Sequence, residues 1–503
     1  PVGPGETIVL DINFRAKLPK IFARTGFSRD YFLVGQWFPK IGVYEPAGMR
    51  YAKVGQWNCH QFHADSEFYA DYGVYDVNIT LPQNYQTGAT GLMISEKANE
   101  NGTKTQRWHA EDVVDFAWTA SPRFEVVTDQ WKNQSGNPVN IRLLVQPEHR
   151  HQAQRHLDAA KRALTYFGKH LGAYRFPNLT IVDPPFHGSG SAGMEYPTFI
   201  TAGTVSFLTD GMRFPEAVTI HEFGHQYFMQ LLASNEFEEA WLDEGFNQYY
   251  EGRIMDETYG PRASQVDWFG YRTGDAESAR DGYVHTSNPG ASPAFGNTWQ
   301  LPEGQYGALT YFKTATWLRT LDGLVGRPVM DEIMQTYFIR WRWKHPCATD
   351  FIAIVNEIVP KRLGTRYGPD MNWFFGQVLY GDQVCDYALT SVTNKKEGNR
   401  YQSTVRVDRL GSMKLPVEVL VHFENGKEKL VLWDGQSGRK TIKLTQTTPV
   451  LWAKADPSQK LYVDTNLNNN SFTLEPDRAP AGKYAVKLMF WVQNWMQWLA
   501  WLA

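Results

Sequence analysis

The chain has 503 residues, of which 42% are hydrophobic and 20% are charged, and its formal net charge is −3. This composition can fill several large cores, and it excludes collagen, coiled coil and intrinsic disorder as the dominant state. The near-neutral charge balance argues against a nucleic-acid-binding protein, which usually has a basic excess. Cys59, Cys347 and Cys385 are too few for a disulfide framework or a cysteine-rich zinc ribbon.

Residues 1–148 are predicted to form a β-rich domain. Apolar residues alternate with others over 8–14, 77–81 and 139–143, which is the two-residue period of a half-buried strand. Clusters of Gly, Asn and Pro punctuate these segments, as expected of turns.

Residues 149–381 are predicted to form a mixed domain rich in helix. The expected helices cover 151–171, 215–233, 308–324, 329–342 and 349–359, and short strands are expected at 179–182 and 199–201. His149, His151 and His156 open a polar helix, so their side chains are expected to be solvated.

The chain returns to β structure over residues 382–475. Asn425-Gly426 separates two apolar runs, which is a strong hairpin signal, and a small β-sandwich is expected here. Residues 476–503 form a short apolar tail. The predicted fold is therefore a multidomain α/β protein with four segments in chain order.

One motif carries metal chemistry. In His221-Glu222-x-x-His225 the two histidines are four residues apart, so on a helix they share one face and can hold one Zn²⁺. Glu222 then lies beside the metal as a general base. Glu244, on a second predicted helix, can complete a His₂Glu ligand set. Cys59, His60 and His63 have no fourth ligand in register and are expected to be structural.

These residues resemble the gluzincin aminopeptidases, the family of aminopeptidase N. The resemblance starts from HEFGH at 221–225 and continues with the Glu of WLDEGF at 241–246. Upstream, SAGMEYP at 191–197 is similar to the family's GAMEN substrate motif. Downstream, Tyr311-Phe-Lys-Thr314 is similar to the element that carries the family's catalytic tyrosine.

The resemblance implies a fold and a set of roles. It implies an N-terminal β-saddle domain, a thermolysin-like catalytic domain with one zinc ion, and a β-sandwich. Glu222 is expected to be the general base, Tyr311 the oxyanion stabiliser and Glu195 the anchor for the substrate amine. Gly193 and Met194 are expected to contact substrate. The expected partners are peptides with a free N-terminus.

The sequence departs from the family pattern at several points. Tyr196 and Asp243 stand where the family has asparagine. The N-terminal domain is expected to lack its first strands, and the large helical C-terminal domain of many members is expected to be absent. Two alternatives to a zinc aminopeptidase stay open. One is an epoxide hydrolase of the leukotriene type on the same scaffold, and the other is a non-catalytic, zinc-folded peptide-binding module.

The tail over 484–503 is rich in tryptophan and has few polar residues. If it is helical, Gln493, Asn494 and Gln497 cluster on one side, which is typical of an interfacial helix. Lys483 and Lys487 could meet anionic lipid. The tail is therefore expected to contact a membrane surface, and membrane association is the expected localisation. Packing in a groove of the protein, or belonging to a longer span, are the alternatives.

Overall fold

The computed structural model describes residues 2–3, 5–133, 135–476 and 478–502. The chain divides into two compact units, Pro1–Asp382 and Gln383–Ala503. Helices and sheets occur in both, so the predicted multidomain α/β class is confirmed. The finer division at 148 and 475 stays a prediction.

Strands fill the start of the first unit and most of the second. They are β1 Gly26–Ser28, β2 Tyr31–Val34, β3 Val43–Glu45, β4 Gln56–Asn58, β5 Gly73–Pro82, β6 Gln86–Ala89, β7 Leu92–Ala98, β8 Thr103–Val113, β9 Trp118–Ser121, β10 Glu125–Lys132, β11 Pro138–Val145, β12 Asn178–Val182, β13 Phe199–Thr201, β14 Val266–Trp268, β15 Tyr271–Thr273, β16 Tyr387–Glu397, β17 Arg400–Arg409, β18 Val417–Phe423, β19 Glu428–Trp433, β20 Arg439–Gln446, β21 Val450–Ala455 and β22 Ser471–Thr473.

The helices lie mainly in the second half of the first unit. They are α1 Ala153–His170, α2 Phe214–Gly224, α3 Glu236–Glu239, α4 Glu244–Tyr259, α5 Asp275–Val284, α6 Thr314–Val325, α7 Arg327–Trp341, α8 Ala348–Leu363, α9 Asn372–Val378 and α10 Ala479–Leu502. Two wider π-helical segments, Phe228–Leu232 and Ala308–Lys313, interrupt the predicted helices 215–233 and 308–324.

The strand predicted over residues 8–14 is wrong. The structure has no strand before β1 in the described residues, and Ile8 and Leu10 are 60% and 56% exposed. Alternation places side chains on two faces, but a strand also needs a neighbour for its backbone groups. The strands predicted over 77–81 and 139–143 do have such neighbours, since β5 pairs with β8 and β11 pairs with β10.

One sheet supports the region that will carry the site. In it, β10 and β11 are antiparallel, while β11, β12 and β13 run parallel. Every residue of β12 is buried, as expected for a parallel strand covered on both faces. Helix α1 packs on this sheet and on α2, so α2 is held over a rigid base.

The helical part has an aromatic core. Trp241 and Trp317 are fully buried with their ring centroids 5.8 Å apart, and Phe246 meets Phe351 edge-on at 4.9 Å. Such rings bury large apolar areas and fix the angles between α4, α6 and α8. The backbone that presents Glu244 therefore rests on a close-packed layer.

The second unit contains two sheets and the terminal helix. One sheet has the order β16-β17-β20 and the other β19-β18-β21-β22, and β16 lies against β21 and β22. The predicted hairpin at Asn425-Gly426 is confirmed, since β18 and β19 pair around it. Among the described residues, no helix combines the length and apolarity needed to cross a bilayer.

Candidate metal centre

The two histidines of the motif lie at the end of α2. Pro215 occupies the first turn of this helix, where its missing N–H costs nothing, and α2 ends at Gly224. Both imidazoles are buried and on the same face. The Nε2 atoms of His221 and His225 lie 3.2 Å and 3.3 Å from the same carboxylate oxygen, Oε2 of Glu244.

Glu244 reaches this position because α2 and α4 approach closely. A Cβ atom on Gly224 would lie 1.7 Å from Oδ1 of Asn247, so only glycine fits there. The Asn247 amide in turn donates a hydrogen bond to the carbonyl of His221. Glu244 is the first residue of α4, where the helix dipole favours a negative charge.

The spacing of these atoms fits a metal ion. Two ligands at about 2.0–2.2 Å from a tetrahedral Zn²⁺ are about 3.3–3.6 Å apart, which matches the two distances to Glu244. All three ligand atoms lie within 4.8 Å of one another, and all three residues are buried. A His₂Glu donor set is that of catalytic zinc sites, which keep a fourth position open.

Each histidine is oriented by a second carboxylate. Nδ1 of His221 lies 2.8 Å from Oε2 of Glu251, and Nδ1 of His225 lies 2.9 Å from both oxygens of Asp243. If each Nδ1 donates its proton to the carboxylate, the lone pair of Nε2 is free for the metal. Asp243 departs from the family motif, and in this structure it orients the ring of His225.

A cavity of about 170 Å³ opens beside the three ligands, and Glu222 lines it. Oε2 of Glu222 is buried and makes no hydrogen bond within the described residues. Burial raises the pKa of Glu222 to about 7. Gly193 faces it with a φ of +70°, and a Cβ there would lie 3.5 Å from Oε1 of Glu222. A glycine at this strained position leaves the approach to Glu222 open.

Tyr311 also lines the cavity and lies in the π-helical segment Ala308–Lys313. Its hydroxyl donates to Oε1 of Glu244, and its ring is nearly parallel to that of His221. Burial, together with the Glu244 charge, raises the pKa of Tyr311 well above its ordinary value, so the phenol is a neutral donor.

The remaining wall of the cavity is acidic. Glu195 is 3% exposed, and its Oε1 has no hydrogen-bond partner within the described residues. Carboxylate oxygens of Glu67 and Glu236 lie within 4.8 Å of it and of each other. Arg24 pairs with Glu67 and lines the cavity beside it. Burial, and then the charge of Glu67, raise the pKa of Glu195 well above its ordinary value.

The structure also places the other residues of the GAMEN-like motif. Gly193 donates its N–H to the carbonyl of Thr201 at 2.8 Å, and Met194 bridges to the same residue. The Met194 side chain is buried in a cluster with Tyr196 and Phe199, while Gly193 and Met194 both line the cavity.

Several of these residues escaped the sequence analysis. Glu67 and Arg24 lie far from the motif in sequence, and only the fold brings them to the cavity. Glu251 could have been found, because it follows Glu244 by two helical turns and so shares its face. Asp243 was noticed only as a departure from a motif.

The expectation that His149 and His156 are solvated is wrong. His149 is buried with its Nδ1 2.7 Å from Asp183, and His156 is buried with its Nδ1 2.8 Å from Thr219. Of the three, His151 is exposed, whereas His149 precedes α1 and lies beside Asp183, and His156 faces Thr219 of α2. His60 and His63 instead pack against Trp299, in line with the structural role expected for them.

Comparison with known families supplies an independent observation. Residues 155–374, which contain His221, His225 and Glu244, match the model of the peptidase family M1 domain. This segment is a peptidase family M1 domain. This is the gluzincin aminopeptidase family that the motifs resemble, and it is zinc-dependent in general.

Individual relatives have low sequence identity to this chain. Glutamyl aminopeptidase of Homo sapiens is 25% identical over 297 residues, or 56% of this chain and 30% of that protein. A leukotriene A-4 hydrolase homolog of Botryotinia fuckeliana is 28% identical over 180 residues, or 35% of this chain and 26% of that protein. The chain thus spans about a third or less of the length of these relatives.

The fold is also similar to a solved structure. Legionella pneumophila aminopeptidase A, crystallised in complex with aspartic acid, superposes with a TM-score of 0.62 at 15% identity. The superposition covers 88% of this chain and 48% of the Legionella chain. At this identity the likeness concerns the fold.

Proposed function

We propose that this protein is a zinc-dependent aminopeptidase that removes the N-terminal residue of peptides. The observation that carries the proposal is the coexistence of two sites in one cavity. A His₂Glu group with metal-ligand spacing lines this cavity, and so do Glu67 and Glu195, whose carboxylates can bind an ammonium group. An enzyme with this cavity would cleave next to a free N-terminus.

His221, His225 and Glu244 would hold one Zn²⁺ per chain. When bound, the ion supplies Lewis-acid polarisation of a carbonyl and activation of water. The chain contributes the geometry: Glu251 and Asp243 fix the two imidazole rings before any ligand arrives.

Glu222 is the proposed general base. Glu222 lines the cavity, and its carboxylate can accept a proton from the attacking water. The same carboxyl group can then donate that proton to the leaving amine nitrogen, so one group serves both steps. Gly193, by lacking a side chain, keeps the space beside Glu222 open for the scissile bond.

Tyr311 is the proposed donor to the oxygen of the scissile carbonyl. Negative charge builds on that oxygen as the water attacks, and a positioned hydroxyl group stabilises it in the transition state. The buried phenol stays protonated because burial raises its pKa.

Glu195 is the proposed anchor for the substrate ammonium, with Glu67 beside it. Arg24, which also lines the cavity, pairs with Glu67. The carboxylate of Glu195 is therefore left to meet a substrate ammonium group. A buried carboxylate with an unpartnered oxygen gains a charge-assisted hydrogen bond when an ammonium group enters. Gly193 and Met194 line the path beside it and are proposed to contact the substrate backbone.

We further propose the finer fold assignment. The strands before residue 149 correspond to a β-saddle domain, residues 149–381 to a thermolysin-like domain, and the two facing sheets of the second unit to a β-sandwich. The similarity to the Legionella aminopeptidase fold supports this division without fixing its boundaries.

Epoxide hydrolysis is the second candidate, favoured by the relative named as a leukotriene A-4 hydrolase homolog. The cavity speaks against it, since four glutamates and an arginine line a space where a lipid would need apolar walls. A non-catalytic binding module has no need of the unpartnered Glu222 carboxylate.

A panel of aminoacyl-coumarin substrates tests the proposal. We expect hydrolysis that a chelator abolishes and added zinc restores. N-acetylated versions of the same substrates should be inert, because the acetyl group removes the charge that Glu195 binds. Hydrolysis of a leukotriene-type epoxide without any aminoacyl hydrolysis would favour the second candidate.

A further inference from the structure

The terminal helix α10 presents an unusual surface. It has 24 residues, contains no acidic residue, and has Lys483 and Lys487 as its two charged side chains. Its large apolar side chains are exposed, with Trp498 at 68% and Leu499 at 62%. Leaving such groups in water is costly, at about 25 cal/mol per Å² of apolar surface.

At about 3.6 residues per turn, part of the surface of α10 sorts into three stripes. The stripes are a polar one of Lys483, Lys487, Asn494 and Gln497, an aromatic one of Tyr484, Trp491, Trp495 and Trp498, and an aliphatic one of Leu488, Val492, Met496 and Leu499. Phe490 and Trp501 also fall on the polar side, and Val486, Met489 and Gln493 lie on the side opposite the aromatic stripe. The aliphatic stripe lies opposite the polar stripe, and the aromatic stripe lies between them.

This order matches the depth profile of a membrane surface. Aliphatic side chains belong among acyl chains, Trp and Tyr at the level of the headgroups, and Lys at the anionic phosphates. We propose that α10 lies in the plane of a bilayer that contains anionic lipid and holds the protein at that surface. This inference goes beyond the proposed peptidase function and does not depend on it.

Two observations favour a helix lying on the membrane over other arrangements. Four polar residues lie along one side of the helix from Lys483 to Gln497, so a span would bury the amides of Asn494 and Gln497. In a pair of α10 helices from two copies, packing through the aliphatic stripes would leave the aromatic stripes and both lysines without a function. A membrane surface would contact all three stripes at once.

Flotation of the full chain with lipid vesicles tests the proposal. We would compare phosphatidylcholine vesicles with vesicles that also contain phosphatidylglycerol. Lys483→Gln/Lys487→Gln should lower partitioning onto the anionic vesicles about tenfold or more, with little change on the neutral ones. Val492→Ser/Leu499→Ser should lower partitioning onto both kinds.

Leu430→Ser/Leu432→Ser is the matched control, because these exposed leucines lie on β19 of the same unit. It should leave flotation unchanged, and aminoacyl-coumarin hydrolysis should be unchanged in all three variants. The proposal is overturned if the full chain floats with neither vesicle, or if the control weakens flotation as much as Val492→Ser/Leu499→Ser does. A vesicle-free dimer that Val492→Ser/Leu499→Ser dissociates, with no flotation, would instead assign the stripe to a second copy of the chain.

Discussion

Replacing Glu195 with glutamine should selectively harm substrates that have a free amine. Glutamine keeps the size of the side chain and removes the charge that the ammonium group would meet. Glu195 is 3% exposed, so water screens this contact little, and its Oε1 is available. A hydrogen bond to a charged group contributes about 1.5–3 kcal/mol, which corresponds to about 10- to 150-fold in kcat/KM.

The assay compares an aminoacyl-coumarin with its des-amino analogue in both proteins. In Glu195→Gln, kcat/KM should fall by this factor for the free-amine substrate alone, because the des-amino analogue never makes the contact. Glu236→Gln is the matched control, since Glu236 belongs to the same acidic group but does not line the cavity within the described residues. In Glu236→Gln, kcat/KM for the free-amine substrate should fall less than in Glu195→Gln. If Glu195→Gln harms both substrates by the same factor, Glu195 is not the amine anchor.

Substitutions at three further positions separate the roles within the site. Glu222→Gln should keep its zinc by elemental analysis while kcat falls about 10²–10⁴-fold, and a kcat within tenfold of wild type would remove Glu222 from the chemistry. Tyr311→Phe should lower kcat about 10²–10³-fold with little change in substrate affinity, and an unchanged kcat would make the tyrosine structural. Asp243→Ala should weaken zinc binding about 10–100-fold in a competition titration with a chelator, whereas Asp243→Asn, which keeps an oxygen acceptor for His225, should weaken it less. Equal zinc affinity in both Asp243 variants and wild type would contradict the orienting role.

The sequence could bring the predicted centre of the site together for a physical reason. His221, Glu222 and His225 lie within a little more than one helical turn, so helix geometry alone brings them together. The structure also places Glu244 against both imidazoles, as a returning helix would. Their roles stay predictions until the variants above are measured.

The parts that sequence could not supply depend on long-range packing. Glu67 and Arg24 enter the cavity from the β-rich region, and no periodicity in their own segments marks them. The strand predicted over 8–14 failed because alternation does not guarantee a hydrogen-bonding neighbour. The expectation for His149 and His156 failed because their partners, Asp183 and Thr219, are distant in sequence.

Titration of the metal-free chain with zinc, while aminoacyl-coumarin hydrolysis is followed, tests the central claim most directly. The account predicts that activity is absent at first, rises in proportion to added zinc, and levels off at one ion per chain. A chain in which both His221 and Glu244 are replaced by alanine should show no such rise. Full hydrolysis before zinc is added would contradict the account, and so would binding of one zinc per chain with no hydrolysis of any substrate in the panel.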